Sequence, residues 1–202
     1  AKSLRQKALD GTHSTALILG GGFIGVEIAL YLAKLGMKPT LLNRRGWIMP
    51  RLLDVETAAY VQDDLVRQGV DVRLNTEGIQ FAGQDGVEYL ETGTREKLQA
   101  DVYIAATGVA PNVGFVRDAG LDLDAGIVVD DFLQTSRPGI FACGDVAQAR
   151  ELLSGERRIL GLYPVAVQQG WIAGKNALGR RLAYRPQPSM NSLKGLSFRL
   201  MV

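Results

Sequence analysis

The sequence contains one cysteine, Cys143, and one histidine, His13, in 202 residues. That scarcity excludes an internal disulfide and any metal centre rich in Cys or His built from this chain. It also suits a reducing compartment, and the cytoplasm is the expected one. An excess of one charge is missing too: Lys and Arg total 23 against 21 Asp and Glu, a net charge of +2, so no broad field would recruit nucleic acid or an anionic membrane. No apolar run approaches the roughly 18–20 residues of a bilayer span, and no basic-then-apolar leader opens the chain. Neither nucleic acid nor membrane is therefore an expected partner. Composition is otherwise that of a globular protein, and the length suits one large or two small domains.

Glycine, by contrast, is abundant. The chain has 24 glycines, well above the roughly 7% average and without a collagen-like period. Such an excess calls for tight turns or places where backbone approaches a ligand closely.

The first part reads as strand, turn, helix, strand. Ala16 to Leu19 are apolar, Gly20 to Gly22 interrupt them, and Ile24 to Leu35 carry apolar residues at helical spacing. Gly36 stands where a helix would end, and Pro39 to Leu42 begin a second strand. Arg51 to Gln68 repeat the helical pattern, and a third strand is expected around Val70 to Leu74. The alternation predicts an α/β fold with a Rossmann-like, doubly wound parallel sheet. From Ile79 the period shortens and turn-rich GQDG and TGT intervene, predicting a small antiparallel β-meander over the sheet. Asp101 to Ala106 read as a further strand, followed by a boundary near Pro111 and Asn112. Beyond it lie two more apolar runs, Ile127 to Val129 and Ile140 to Cys143, the helical pattern of Val165 to Leu178, and a proline-bearing stretch, Arg185 to Pro188.

GGGFIG, Gly20 to Gly25, satisfies GxGxxG between a predicted strand and a predicted helix, the context that turns a weak match into a dinucleotide fingerprint. Gly20 would allow the tight turn, Gly22 the approach of a pyrophosphate and Gly25 close helix packing, with the helix N-terminus facing the phosphates. An NAD site would end its second strand in Asp or Glu to accept hydrogen bonds from the ribose hydroxyls. Here that position is Asn43, followed by Arg44 and Arg45. Guanidinium groups suit a 2′-phosphate, so NADP is favoured over NAD.

GGGFIGVE (Gly20 to Glu27), AATGVAPN (Ala105 to Asn112) and TSRPGIFACGDVA (Thr135 to Ala147) resemble, in order and spacing, the three signatures of the flavin-dependent pyridine nucleotide-disulfide oxidoreductase family. YPVAVQQGWIAGKNALG (Tyr163 to Gly179) is similar to the last flavin-facing helix of its NADH oxidase, nitrite reductase and rubredoxin or ferredoxin reductase branch. The resemblance implies a connection to the flavin domain in residues 1–11, an NAD(P)-binding domain in 12–110 and the C-terminal part of an FAD-binding α/β domain in 111–202. It implies that Gly20, Gly22, Phe23, Ile24 and Gly25 line the pyrophosphate and nicotinamide ribose, and that Gly108 closes over the cofactor. Glu27 would lie near nicotinamide and flavin as the catalytic residue. Gly144 and Asp145 would hold the flavin ribityl chain, and Pro164 and Val165 would begin a helix facing the flavin pyrimidine. The partner implied is an electron acceptor, a small redox protein or small molecule, and an intact protein could form a homodimer.

The sequence also departs from that pattern. The family carries an earlier GxGxxG for the FAD pyrophosphate, which this sequence lacks, so the FAD site is expected to be incomplete and the chain reads as a segment. A binding module that docks nucleotide without holding flavin is the alternative. No CxxC lies between Thr12 and Ala110, against the thioredoxin reductase branch, and no Tyr is followed by Lys four positions on, against a short-chain dehydrogenase. Cys143 reads as a small core residue in a buried strand, with no redox role.

Overall fold

In a computed structural model of the chain, residues 2–186, 188 and 190–202 are described; Gln187, within the proline-bearing stretch, lies outside them. The chain divides into two compact units, one of residues up to Gly108 with Asn191–Val202, the other Val109–Met190.

The first unit begins with a short helix, α1 (Lys2–Leu9), and strand β1 (Thr15–Leu19), which turns into α2 (Phe23–Lys34). Then follow β2 (Lys38–Leu42), α3 (Val55–Arg67) and β3 (Asp71–Arg73). A meander of β4 (Gly78–Ala82), β5 (Tyr89–Thr92) and β6 (Lys97–Leu98) leads to β7 (Val102–Ala105). Strands β3, β2, β1 and β7 lie side by side in that order, all parallel. Because strand side chains alternate between faces, Ala16, Ile18 and Leu41 pack under Val26, Ala29 and Leu30 of α2 and Ala58, Val61 and Leu65 of α3. Leu17 and Leu42 face the other way, against Leu90, Phe81, Leu98 and Tyr103. Helices thus cover one face and the antiparallel meander covers the other. Each fully buried leucine of these layers stabilises the fold by about 1.5–3 kcal/mol.

Helix ends follow local chemistry. Leu35 closes α2 and the next residue, Gly36, takes φ +83°, the left-handed conformation that glycine adopts without strain. The helical pattern expected from Arg51 starts only at Val55, because Asp54 is extended and its carboxylate accepts the Thr57 amide at 2.7 Å, capping the helix.

The C-terminal residues, expected with the flavin part, fold instead into the first unit. They form a hairpin of β11 (Ser192–Leu193) and β12 (Leu200–Met201), the numbers β8 to β10 and α4 belonging to the second unit. Leu193 joins the helix-side core, and Asp64 on α3 accepts both the amide and the hydroxyl of Ser197. Burial alone would raise the Asp64 carboxyl, but the bonds from Ser197 and Gln68 and the charge of Arg67 hold it below the usual range.

The second unit contains β8 (Ile127–Val128), β9 (Ala147–Arg150) and β10 (Arg157–Arg158) in one sheet, β8 parallel and β10 antiparallel to β9. Its long helix is α4 (Tyr163–Ala177), whose Ile172 and Ala173 pack on Val129, Leu133, Ala147 and Tyr184. The strand expected over Ile140 to Cys143 is reduced to one bridge between Gln134 and Phe141. A turn through Pro138 and Gly139, at φ +80°, leaves too little chain for a longer ladder.

One clasp joins the starts of β1 and β7. The amides of Ser14 and Thr15 each donate to Asp101 Oδ2 at 2.8 Å, and both hydroxyls donate to the same oxygen. These bonds, the Ser14 amide foremost, hold the Asp101 carboxyl at about 2 against an ordinary 3.8. A depressed carboxyl contributes stability that is complete above its ordinary value and is lost as pH falls through the folded one. Asp101→Ala should therefore lower the melting temperature at neutral pH, and its deficit against the unmodified chain should shrink as pH falls from 3.8 towards about 2. A deficit independent of pH across that window would show that the carboxylate charge is not what holds the clasp.

Candidate functional site

The turn between β1 and α2 is shaped by what cannot fit. Gly20, at φ +116°, lies against the Ala106 carbonyl, and a Cβ there would overlap it. A Cβ on Gly25 would drive into the carbonyl of Gly20. Both neighbours are backbone and cannot yield. Gly22 differs: it is the N-cap of α2, has ordinary extended geometry, offers no side-chain cap, and has nothing within 4 Å of where a Cβ would stand. Open space thus remains beside Gly22, at the start of a helix whose first-turn amides have no partner within it. Phe23 packs against the core, while Ile24 is exposed. Gly108, at φ +115°, likewise faces open space just after Ala106.

Beside this turn, Asn43 follows β2 and is buried. Its Oδ1 accepts the Gly21 amide at 3.3 Å, and its Nδ2 donates to the carbonyls of Arg45 at 3.1 Å and Trp47 at 2.7 Å. Both amide hydrogens are therefore committed, and Asn43 acts as a latch between the glycine turn and the loop carrying the arginines. A carboxylate at this position would face those two carbonyls with no proton to give. Arg44 is exposed and pairs with Glu77 at 3.4 Å. Arg45 is exposed and makes no ion pair among the described residues.

Glu27, one turn into α2, accepts the Lys194 amide at 3.0 Å. It lines a groove of about 420 Å³ with Ile24, Ile28, Tyr31, Lys34 and Lys194. The first unit therefore gathers Gly20, Gly22, Phe23, Ile24, Gly25 and Glu27 on one turn and helix, flanked by Asn43, Arg44 and Arg45.

In the second unit, Gly144 takes φ +74° and opens a short 3-10 turn containing Asp145, whose side chain is exposed. The Gly144 amide donates to Gln169 Oε1 at 2.8 Å, and Gln169 is buried on α4. A Cβ on Gly144 would lie 3.5 Å from Ala166, so the turn sits at the N-terminal end of α4, where Pro164 and Val165 lie. Pro164 occupies the first turn, where its missing amide costs nothing. Nearby, the Tyr184 hydroxyl is buried, and burial pushes its phenol up while Gln169 opposes the shift.

Gln169, Glu77 and Asp64 were not singled out from the sequence. Only Gln169 carried a signal, its place within the quoted YPVAVQQG segment. Glu77 pairs with Arg44, 33 residues away, and Asp64 with Ser197, 133 residues away, besides its near neighbours Arg67 and Gln68.

Cys143 requires a correction. It is extended but exposed, and it does not sit in a buried strand, because the Gly144 turn lifts the chain away from the core immediately after Ala142. Ellman's reagent should therefore titrate this thiol in the folded chain without denaturant. Protection that persists until the chain unfolds would contradict the exposed placement.

The sequence matches the family described as pyridine nucleotide-disulphide oxidoreductase over residues 1–170. It is 32% identical over 199 residues to a rubredoxin-NAD(+) reductase of Pseudomonas putida, covering 98% of this chain and 51% of that protein. It is 36% identical over 171 residues to the ferredoxin–NAD(+) reductase subunit of a benzene 1,2-dioxygenase system, also of Pseudomonas putida, covering 85% and 42%. Among solved structures, a NAD-dependent persulfide reductase from A. fulgidus aligns with a TM-score of 0.86 at 30% identity, over 94% of this chain and 35% of that one. The chain thus spans about half the length, or less, of these relatives. With the family match running through the glycine turn of the first unit and the Gly144 turn of the second and ending within α4, the chain belongs to the pyridine nucleotide-disulphide oxidoreductase family.

Proposed function

We propose that this chain supplies the nicotinamide-nucleotide site, and part of the flavin site, of an NAD(P)H-dependent flavoprotein reductase. The observation that carries the reading is the open cradle at Gly22, in front of an uncapped helix N-terminus. Free first-turn amides and the helix dipole there favour an anionic pyrophosphate. Gly108 leaves room just after Ala106, the residue against which Gly20 lies, and in this reading Ile24 and Glu27 line the approach towards the nicotinamide. Glu27 would touch the nicotinamide from a helix position whose dipole favours its charge.

The flavin residues fit in the same sense. Asp145 presents an exposed carboxylate able to accept a ribityl hydroxyl, and α4 begins beside it with its own free amides. A bound flavin would accept hydride from NAD(P)H and pass electrons onward; the chain's residues bind, orient and shield. Relatives named as rubredoxin and ferredoxin reductases support a small redox protein as acceptor, and the cytoplasm is the proposed setting.

NADP(H) is the proposed nucleotide, because position 43 is neutral and two guanidiniums follow. Calorimetric titration of the chain should give NADPH tighter binding than NADH by about three- to tenfold at low salt, since exposed ionic contacts are individually weak. The preference should fall as salt rises. Gly22→Ala should still fold, since its Cβ meets nothing, at a cost of at most about 1 kcal/mol for alanine at an N-cap, yet weaken both nucleotides by at least about tenfold by filling the cradle. Equal NADPH and NADH affinities would remove the arginine pair from the site, and Gly22→Ala binding at full strength would remove the cradle.

FAD is expected to be held weakly by this chain, which has the Asp145 turn and α4 but no second glycine-rich fingerprint for the flavin pyrophosphate. Chain purified with excess FAD and then desalted should carry well under one equivalent of flavin by absorbance. Full occupancy would show that the flavin site needs no such second turn.

A further inference from the structure

The Arg44 guanidinium already has an anion. Its Nη1 lies 3.4 Å from Glu77 Oε1, with both side chains more than half exposed. Glu77 is set there by backbone on both sides. The Thr76 amide donates to the Asn43 carbonyl at 3.0 Å, and the Glu77 carbonyl accepts the Gly93 amide from the β5–β6 turn at 2.9 Å. The Asn75 amide also reaches the Arg45 carbonyl at 3.2 Å, so the segment after β3 is stitched along the loop after β2. The Glu77 carboxylate is thus delivered to the same arginine that a nucleotide 2′-phosphate would need.

We propose that Glu77 is a specificity-determining residue that competes with the 2′-phosphate for Arg44 and so holds down the preference for NADP over NAD. This rests on the reading of the glycine turn and the Asn43–Arg45 loop as the nucleotide site. A phosphate monoester carries about −1.5 to −2 charges at neutral pH. It must displace the carboxylate from Arg44 and then lie beside it, whereas a ribose that bears only hydroxyls does neither. The Asn43 latch and the backbone bonds of Thr76 and Glu77 do not use the Glu77 side chain, so neutralising it leaves the loop in place. Arg45, which makes no ion pair among the described residues, is the contact left to NADP in the unmodified chain.

The test is calorimetric titration of NADP⁺ and NAD⁺ into the full chain, Glu77→Gln, Arg44→Ala and the double variant, at low salt. Glu77→Gln should tighten NADP⁺ about two- to fivefold while changing NAD⁺ by less than about twofold, the scale of one exposed ion pair. The gain should vanish when Arg44 is also replaced. No gain, equal tightening of both nucleotides, or a gain that survives Arg44→Ala would overturn the competition while leaving the nucleotide site standing. Binding of neither nucleotide by the unmodified chain would instead refute the nucleotide site itself, and the competition with it.

Discussion

At Gly20 and Gly25 the backbone passes so close to neighbouring backbone that a side chain is excluded, and the placement of the turn at the candidate site follows from that closeness. Gly20 leaves β1 in a left-handed conformation against the Ala106 carbonyl, and Gly25 brings the first turn of α2 onto the carbonyl of Gly20. Two backbone contacts, made after β1 and after β7, therefore fix the height and direction at which the helix starts. Gly22, between them, is under no such pressure, and the space in front of it stays open. A turn that only needed to reverse direction could carry a side chain there. A turn that presents amides to an anion benefits from its absence.

The same economy of polar groups governs the flanking loop. Asn43 spends its whole amide group on three backbone partners, joining the glycine turn to the arginine loop. In the proposed nucleotide site its contribution would therefore be indirect: it ties the loop of Arg44 and Arg45 to the glycine turn and adds no negative charge. Introducing a carboxylate at 43 would disturb the turn and the loop together, so charge changes at the exposed Glu77 and Arg44 are the cleaner way to test the proposed specificity apart from folding. Buried Asp64 has a comparable architectural role, gathering donors from Ser197 and Gln68 and drawing the C-terminal hairpin onto α3.

Local periodicity made the β1–α2–β2 unit, the meander and the start of α4 legible in the sequence, because each is specified by apolar spacing and glycine placement over short range. The glycine turn was legible for the same reason: GGGFIG sits where strand pattern changes to helix pattern. The late start of α3 was missed because Leu52 and Leu53 extend the helical pattern, while the Asp54 cap overrides it. The run from Ile140 to Cys143 looks like a strand by composition, but the Pro138–Gly139 turn removes the partner it would need. Cys143 was misplaced along with it. The latch made by Asn43, the pairing of Glu77 with Arg44 and the return of the C-terminal hairpin to the first unit depend on contacts between distant segments, which no spacing rule encodes.

The proposed role of the open turn at Gly22 is to receive the nucleotide's phosphates on backbone amides. The most direct measurement is a nuclear magnetic resonance titration of the labelled chain with NADP⁺, following the amides of Gly20 to Gly25 and Asn43 to Arg45, with nicotinamide mononucleotide as the control lacking the pyrophosphate. NADP⁺ should produce its largest shifts at Gly22, Phe23 and Ile24, with smaller ones at Arg44 and Arg45, and the mononucleotide at the same concentration should leave the turn nearly unmoved. Saturable NADP⁺ binding that moves amides elsewhere and leaves Gly22 to Ile24 unperturbed would contradict that role.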